Sequence, residues 1–364
     1  MCYHFIMKIG PLDITFHRTV RVSEGRAPSN LPPSLGHMKV YNVKDYRTNC
    51  PASWEDDAVF VALHETEALW MSFNNSNPVA ALVGAGGINA ITGEKLGTKL
   101  EKDNYLVAPP QPWLDGWKAE DSTVYQFVGT EYKGGEGNTV GEQLIGAESK
   151  TGGIGIAVFE PIDRTKLKKE HAPSEMFGGG AYLNEVQVAS FSGVPDNQGS
   201  GYVDKITFHD SLETMTPTNY YGSSPICASA ASFSSKGLTR KGLTRSMMPE
   251  MGVGKGGKIT QKIYPDPYGL EVWKDAPVAV GVIYLVNAQV AAEITGETVA
   301  APSTHDAYNG KWFGLQDADK ADVAGSEKFA GLKSAASAFP GNTDNVTEKI
   351  PIQTATTEKI IGDL

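Results

Sequence analysis

Few residues in this chain have the types and spacing for chemistry, and each candidate motif breaks at a definable position. Residues 252–258, GVGKGGK, have the outline of GxxxxGK. A phosphate loop continues with Ser or Thr to hold magnesium and then with a helix whose first amides meet the phosphates. Here Ile259 follows, and the pattern runs on as strand. Gly84-Ala85-Gly86-Gly87 lacks the third glycine of a dinucleotide loop and enters another β-like segment. His64-Glu65-Thr66-Glu67 begins like HExxH, but Ala68 occupies the place of the second histidine. Asp317, Asp319 and Asp322 lack both the glycine and the spacing of a calcium loop. No GxSxG marks a nucleophile, and nothing selects a carboxylate pair. No catalytic, cofactor-binding or metal-binding residue is therefore assigned, and no cofactor is expected.

Charge is the stronger signal. Residues 236–262 hold seven cations, Lys236, Arg240, Lys241, Arg245, Lys255, Lys258 and Lys262, against Glu250, a net of +6 in a chain of −10. The remainder then carries −16. Opposite poles on one molecule permit head-to-tail contact between copies, so these seven residues are the candidates for self-association. A solvated loop is the plainer alternative. Nucleic acid is not expected as a partner, because the chain is acidic and no aromatic residue lies between Phe233 and Tyr264 to stack on bases. Protonation of all seven histidines would bring −10 to −3, so repulsion between copies should fall towards about pH 5.5. Three cysteines, Cys2, Cys50 and Cys227, are too few for a disulfide framework. They are either idle thiols or intermolecular bridges.

The elements that must position these residues read mainly as strands. The clearest punctuation lies at 105–127, YLVAPPQPWLDGWKAEDSTVYQF. A short apolar strand stops at Pro109-Pro110, since proline supplies no ladder donor. Trp113 and Trp117 flank Asp115-Gly116, where a tight turn is expected. Residues 124–128 resume as a strand, with Val124, Gln126 and Val128 on one face and Tyr125 and Phe127 on the other. Residues 12–22 alternate with Ile14, Phe16, Val20 and Val22 on one side and His17 among the polar residues of the other. Residues 58–63 and 67–73 suit a hairpin, and 78–83, 87–91, 143–145, 153–159 and 257–264 are further strands. Residues 278–286 form the longest apolar run and predict a buried strand. Helices are expected at 288–294, ended by Gly296, and at 304–309 and 326–338.

The fold class is therefore mainly β, a β-rich α+β chain with antiparallel sheets in a sandwich or barrel-like core and a few peripheral helices. One large body is expected over 1–335, with a loop-rich excursion near 210–256, and 336–364 reads as a surface tail. Forty glycines in 364 residues, about 11% against a usual ~7%, imply frequent turns. No apolar run is long enough to span a bilayer, so no membrane insertion is expected, and the first ten residues lack the form of a signal peptide.

Six stretches carry a resemblance: LPPSLG (31–36), EALWMSF (67–73), INAITGE (88–94), YLVAPPQPWLDG (105–116), GGKITQKIYPDPYGLEVW (256–273) and GSEKFAGLKS (325–334). With these in order along nearly the whole chain, it resembles a family of uncharacterised bacterial proteins. The same family looks like the source, by horizontal gene transfer, of a zygomycete protein that builds octahedral vacuolar crystals for gravity sensing. The resemblance implies a vacuolar, self-assembling structural protein whose partner is itself, and it implies no catalytic residue. Bacterial members commonly carry a Leu-Pro-Trp-Phe-Asp-Tyr-Tyr-Asp type of run, where this chain has Gly310-Lys311-Trp312-Phe313-Gly314-Leu315-Gln316-Asp317. An acid and two tyrosines are lost there. The competing expectation is an enzyme or carbohydrate-binding protein with a cleft lined by Trp113, Trp117 and Trp273. Exposure of those rings would favour it, and burial would assign them to the core.

Overall fold

In the computed structural model, residues 6–25, 27–120, 122–167, 250–301 and 321–338 are described. They belong to one compact unit formed by 1–182 and 244–364, and a second unit, 183–243, lies outside them. Fourteen strands follow in chain order: β1 (Ile6–Ile9), β2 (Leu12–Thr19), β3 (Val40–Asn42), β4 (Val59–Leu63), β5 (Ala68–Phe73), β6 (Val79–Ala85) and β7 (Ile88–Asn89). Then come β8 (Leu106–Ala108), β9 (Trp113–Leu114), β10 (Gly116–Lys118), β11 (Thr123–Glu131), β12 (Ile154–Phe159), β13 (Glu250–Thr260) and β14 (Ala279–Asn287). Two short α-helices, α1 (Val140–Ile145) and α2 (Ala288–Thr295), accompany them among the described residues.

All fourteen strands join one hydrogen-bonded network in the order β1-β2-β5-β11-β13-β14-β12-β6-β7, with β3, β4, β8, β9 and β10 attached beside it. Every pairing is antiparallel except β4 with β14. Long strands divide an edge between two partners. β14 gives residues 279–283 to β12 and 285–286 to β13, and β11 gives 124–126 to β10 and 127–128 to β5. Such splitting bends the sheet around its contents. β1, at one end of the path, approaches β14 within it without a ladder: a Cβ on Gly281 of β14 would lie 2.5 Å from the Ile9 side chain of β1. Only glycine leaves room for Ile9 to close the structure there.

The main core gathers alternate residues from both halves, among them Leu12, Ile14 and Phe16 of β2, Leu69, Met71 and Phe73 of β5, and Ile154, Ile156 and Val158 of β12. Their period of two is the pleat itself. The outer face is also covered. β5 is buried at all six positions and β6 at all seven, which is why both read as continuous apolar runs rather than alternating ones.

Several expectations change. Residues 58–63 and 67–73 are strands but do not pair with each other, since β4 joins β3 and β14 while β5 joins β2, β9 and β11. Residues 143–145 are the end of α1, which starts at the capping box of Thr139 and Glu142. That box supplies the first-turn amides with acceptors, a signal that outranks the short apolar triplet. Residues 326–338 form two 3-10 turns, Glu327–Phe329 and Ala335–Ala338, in place of a helix. At Asp115 the chain changes neighbours, from β5 to β11, where a turn was expected. β13 begins at Glu250, inside the stretch read as an excursion. The first half of β14 is open, with Val280 59% exposed. The helix at 288–294 is as expected, capped by Asn287 and ended by Gly296 at φ 72°. The expected helix at 304–309, the run at 310–317 and most of the 336–364 tail lie outside the described residues.

Candidate functional site

Of the seven candidate self-association residues, Lys255, Lys258 and Lys262 fall on described backbone, and Lys236, Arg240, Lys241 and Arg245 lie outside it. The expected solvated loop is instead a strand for Lys255 and Lys258. Between them the register with β11 slips, with Tyr125 opposite Lys258 and Phe127 opposite Lys255. One residue of β11, Gln126, thus faces two of β13, a bulge at Gly256-Gly257. A Cβ on Gly257 would meet the Ser23 carbonyl oxygen at 2.2 Å, so the bulge needs glycine there. Its effect is to bring two lysines to one ring. Lys255 Nζ lies 4.9 Å and Lys258 Nζ 5.4 Å from the Tyr125 centroid, within cation-π range. Lys255 Nζ also donates to the Ala330 carbonyl at 3.0 Å. Partial burial lowers its pKa, the nearby Glu24 carboxylate raises it, and Lys258 lowers it again. Glu250, the one acid of the segment, is turned inward, accepting from Thr151 Oγ1 and, at 2.9 Å, from the Gly152 amide. Lys262 follows the strand, its carbonyl accepting from Gln111 Nε2 at 3.2 Å.

Cys50 is fully buried in an aromatic cluster with Tyr41, Trp54 and Phe60. A bridge between copies through it would require that cluster to open. Cys2 and Cys227 lie outside the described residues.

The three tryptophans are core residues, in three different clusters: Trp113 at 5% exposure, Trp117 at 0% and Trp273 at 2%. Each indole nitrogen has an internal acceptor. Trp117 donates to the Gly254 carbonyl at 3.3 Å, and Trp273 to Asp266 Oδ2 at 2.7 Å, which also accepts from the Tyr105 hydroxyl at 2.6 Å. Trp113 donates to Asp115 Oδ2 at 3.2 Å. Asp115 is completely buried, and burial pushes its carboxyl well above the usual carboxylate range while the Trp113 bond pulls the other way. Its Oδ1 makes no hydrogen bond. Surface depressions do exist, one of about 220 Å³ lined by Lys8, Asp13, Asn74, Asn75 and Arg164.

The residues of 64–67 hold the fold together. Glu67 Oε1 accepts from Arg18 Nε at 2.9 Å and Nη2 at 2.6 Å, while His64 Nε2 meets the Ala300 carbonyl at 2.8 Å. Among the described residues, no three His, Cys, Asp or Glu side chains are grouped as metal ligands.

Sequence reasoning missed the cluster around His17, which it assigned to the polar side of a half-buried strand. His17 is 4% exposed. Its Nε2 lies 2.8 Å from Ser72 Oγ on β5, and its Nδ1 lies 3.0 Å from Ser34 Oγ. The ring stacks on Trp70 at 3.7 Å and 4°, and meets the His37 ring edge-on at 4.9 Å. Burial first and His37 second lower its pKa from 6.5 to about 3. Ser34 and His37 come from the LPPSLG stretch and the residue just beyond it, so the signal was a Pro-rich segment that covers the sheet.

No family model, no curated protein and no solved structure matches this chain.

Proposed function

We propose that this chain is a self-assembling structural protein whose copies pack into dense, crystal-like bodies in an acidic vacuole, where their weight serves gravity sensing. The resemblance supplies the vacuole and the gravity sense. The observation that carries the assembly reading is the Lys255–Lys258 pair held against Tyr125, a cationic feature built into the strand framework of a chain whose net charge is −10. At neutral pH that net charge keeps copies apart. In acid the repulsion falls, and the cationic face docks on acidic surface of the next copy. A contact between unlike surfaces need not close into a ring, so it can propagate. His17 limits the trigger: with a pKa of about 3 it stays neutral in the folded chain, so histidines can bring −10 only to −4.

Light scattering of the purified chain from about pH 7.5 to 5, with no partner added, tests the reading. Ordered particles should form on the acid side, and the Lys255→Glu/Lys258→Glu variant should form them poorly. Scattering indifferent to pH would remove the charge argument. If that variant and a Lys236→Glu/Arg240→Glu/Lys241→Glu/Arg245→Glu variant both build the same particles, the basic segment is not the contact.

A further inference from the structure

The Pro-rich segment from Ser29 to Met38 bridges to β13 at Ser29–Ile259 and to β2 at His37–His17, and spans the sheet between those two pairings as a strap. Its anchors are backbone bonds: Ser29 with Lys258 and Thr260, Leu35 and Gly36 with Arg18, and Met38 with Phe16, all between 2.8 and 2.9 Å. Thr19 Oγ1 adds a bond to the Pro33 carbonyl at 2.8 Å. Beneath it, Leu31 packs with Val22, Trp70, Trp113, Val124 and Ile259. His17 is a titratable side chain enclosed between strap and sheet, bonded through Ser34 to the strap and through Ser72 to the sheet.

We propose that the strap is an acid-released cover, held shut by neutral His17 and lifted when that ring takes a proton. An imidazolium needs water or an anion, and the side chains that surround this ring carry no negative charge. Ser72 and Trp70 face the ring from β5, and Ser34 and His37 face it from the strap. The nearest ion pair, Arg18 with Glu67, lies one residue along β2 and largely cancels itself. His37 is the more exposed of the two histidines, so it gains charge first and opposes the protonation of His17 in the closed state. Solvation of a charged His17 therefore requires Ser34 and His37 to move away, which bares Trp70 and the apolar residues around it.

The sign follows from linkage. His17 has a folded pKa below its free value, so its support for the closed strap is complete above about 6.5 and is lost as pH falls towards 3. Across that window the closed-to-open ratio drops about tenfold per pH unit. The opening stands apart from the assembly reading and rests on it only for a consequence, an added apolar contact between copies in acid.

Hydrogen exchange of residues 29–38, corrected for intrinsic rate and measured on dilute monomer at about pH 7 and 5, tests the cover. Exchange should rise more than tenfold at the lower pH in the wild type and stay level in His17→Gln. Equal protection at both pH values, or the same rise in His17→Gln, overturns the proposal. Should that variant not fold, NMR titration of the wild-type His17 ring decides. A ring that titrates near pH 6.5 with the strap still protected overturns it, and a ring that charges only as the strap loses protection supports it. Strap opening without particles would count against assembly alone, and particles without opening against the cover alone.

Discussion

At Asp115 a carboxyl sits in the core with one oxygen bonded to Trp113 and the other to nothing. Burial raises its folded pKa, so any stability it contributes is present in acid and lost as pH rises through the folded value. At neutral pH the residue is therefore a cost. Asp115→Asn removes the ionisation while keeping an acceptor for the indole. It should stabilise the protein at pH 7 by about 1–3 kcal/mol, the usual penalty for an unsatisfied buried group. The gain should shrink as the pH approaches 3.8, the ordinary aspartate value. Thermal melts of both proteins at the two pH values check this, and an equal or lower midpoint for the variant at pH 7 would contradict it.

Among the elements, β13 does the most with the least side-chain volume. Its bulge at Gly256-Gly257 lets Lys255 and Lys258 meet one ring, and backbone contact at Gly257 leaves no space for a methyl group. Gly257→Ala should cost roughly 1–3 kcal/mol, as overpacking does. It should also weaken acid assembly, because the strand must shift where the lysines are placed. A variant with an unchanged melting temperature and unchanged scattering would show that the bulge is dispensable. Helix α1 offers a milder case. Thr139→Ala deletes the bond from the Glu142 amide to Thr139 Oγ1 at 3.1 Å, and a loss of about 0.5–2 kcal/mol is expected in chemical denaturation.

For the whole molecule, the proposed assembly turns on how charge is distributed along the chain. A contact between cationic and acidic surfaces weakens when salt shortens the screening length from ~10 Å at 0.1 M to ~3 Å at 1 M. Particles formed in mild acid should therefore dissolve in about 1 M sodium chloride, as followed by scattering. Persistence at high salt would assign the contact to apolar surface, for which the uncovered strap face and exposed residues such as Val280 and Ile162 are candidates.

Local chemistry was enough to announce the β class, most strand positions, and α2 with its Gly296 stop, because pleat alternation and capping act over a few residues. The basic run was also legible, since charge can be counted without a fold. Strand partnership was not. β4 and β5 are neighbours in sequence, yet they pair with strands up to 224 positions away, such as Asn287 with Leu63, because the sheet bends where long edges are shared. Burial on the second face was equally hidden. His17 sits at a polar position of an alternating strand, and only the strap laid across it by tertiary packing turns an apparent surface residue into a closed, neutral one. Periodicity thus determined which residues become strands, while long-range packing alone decided which faces are covered and which charges are left to meet another molecule.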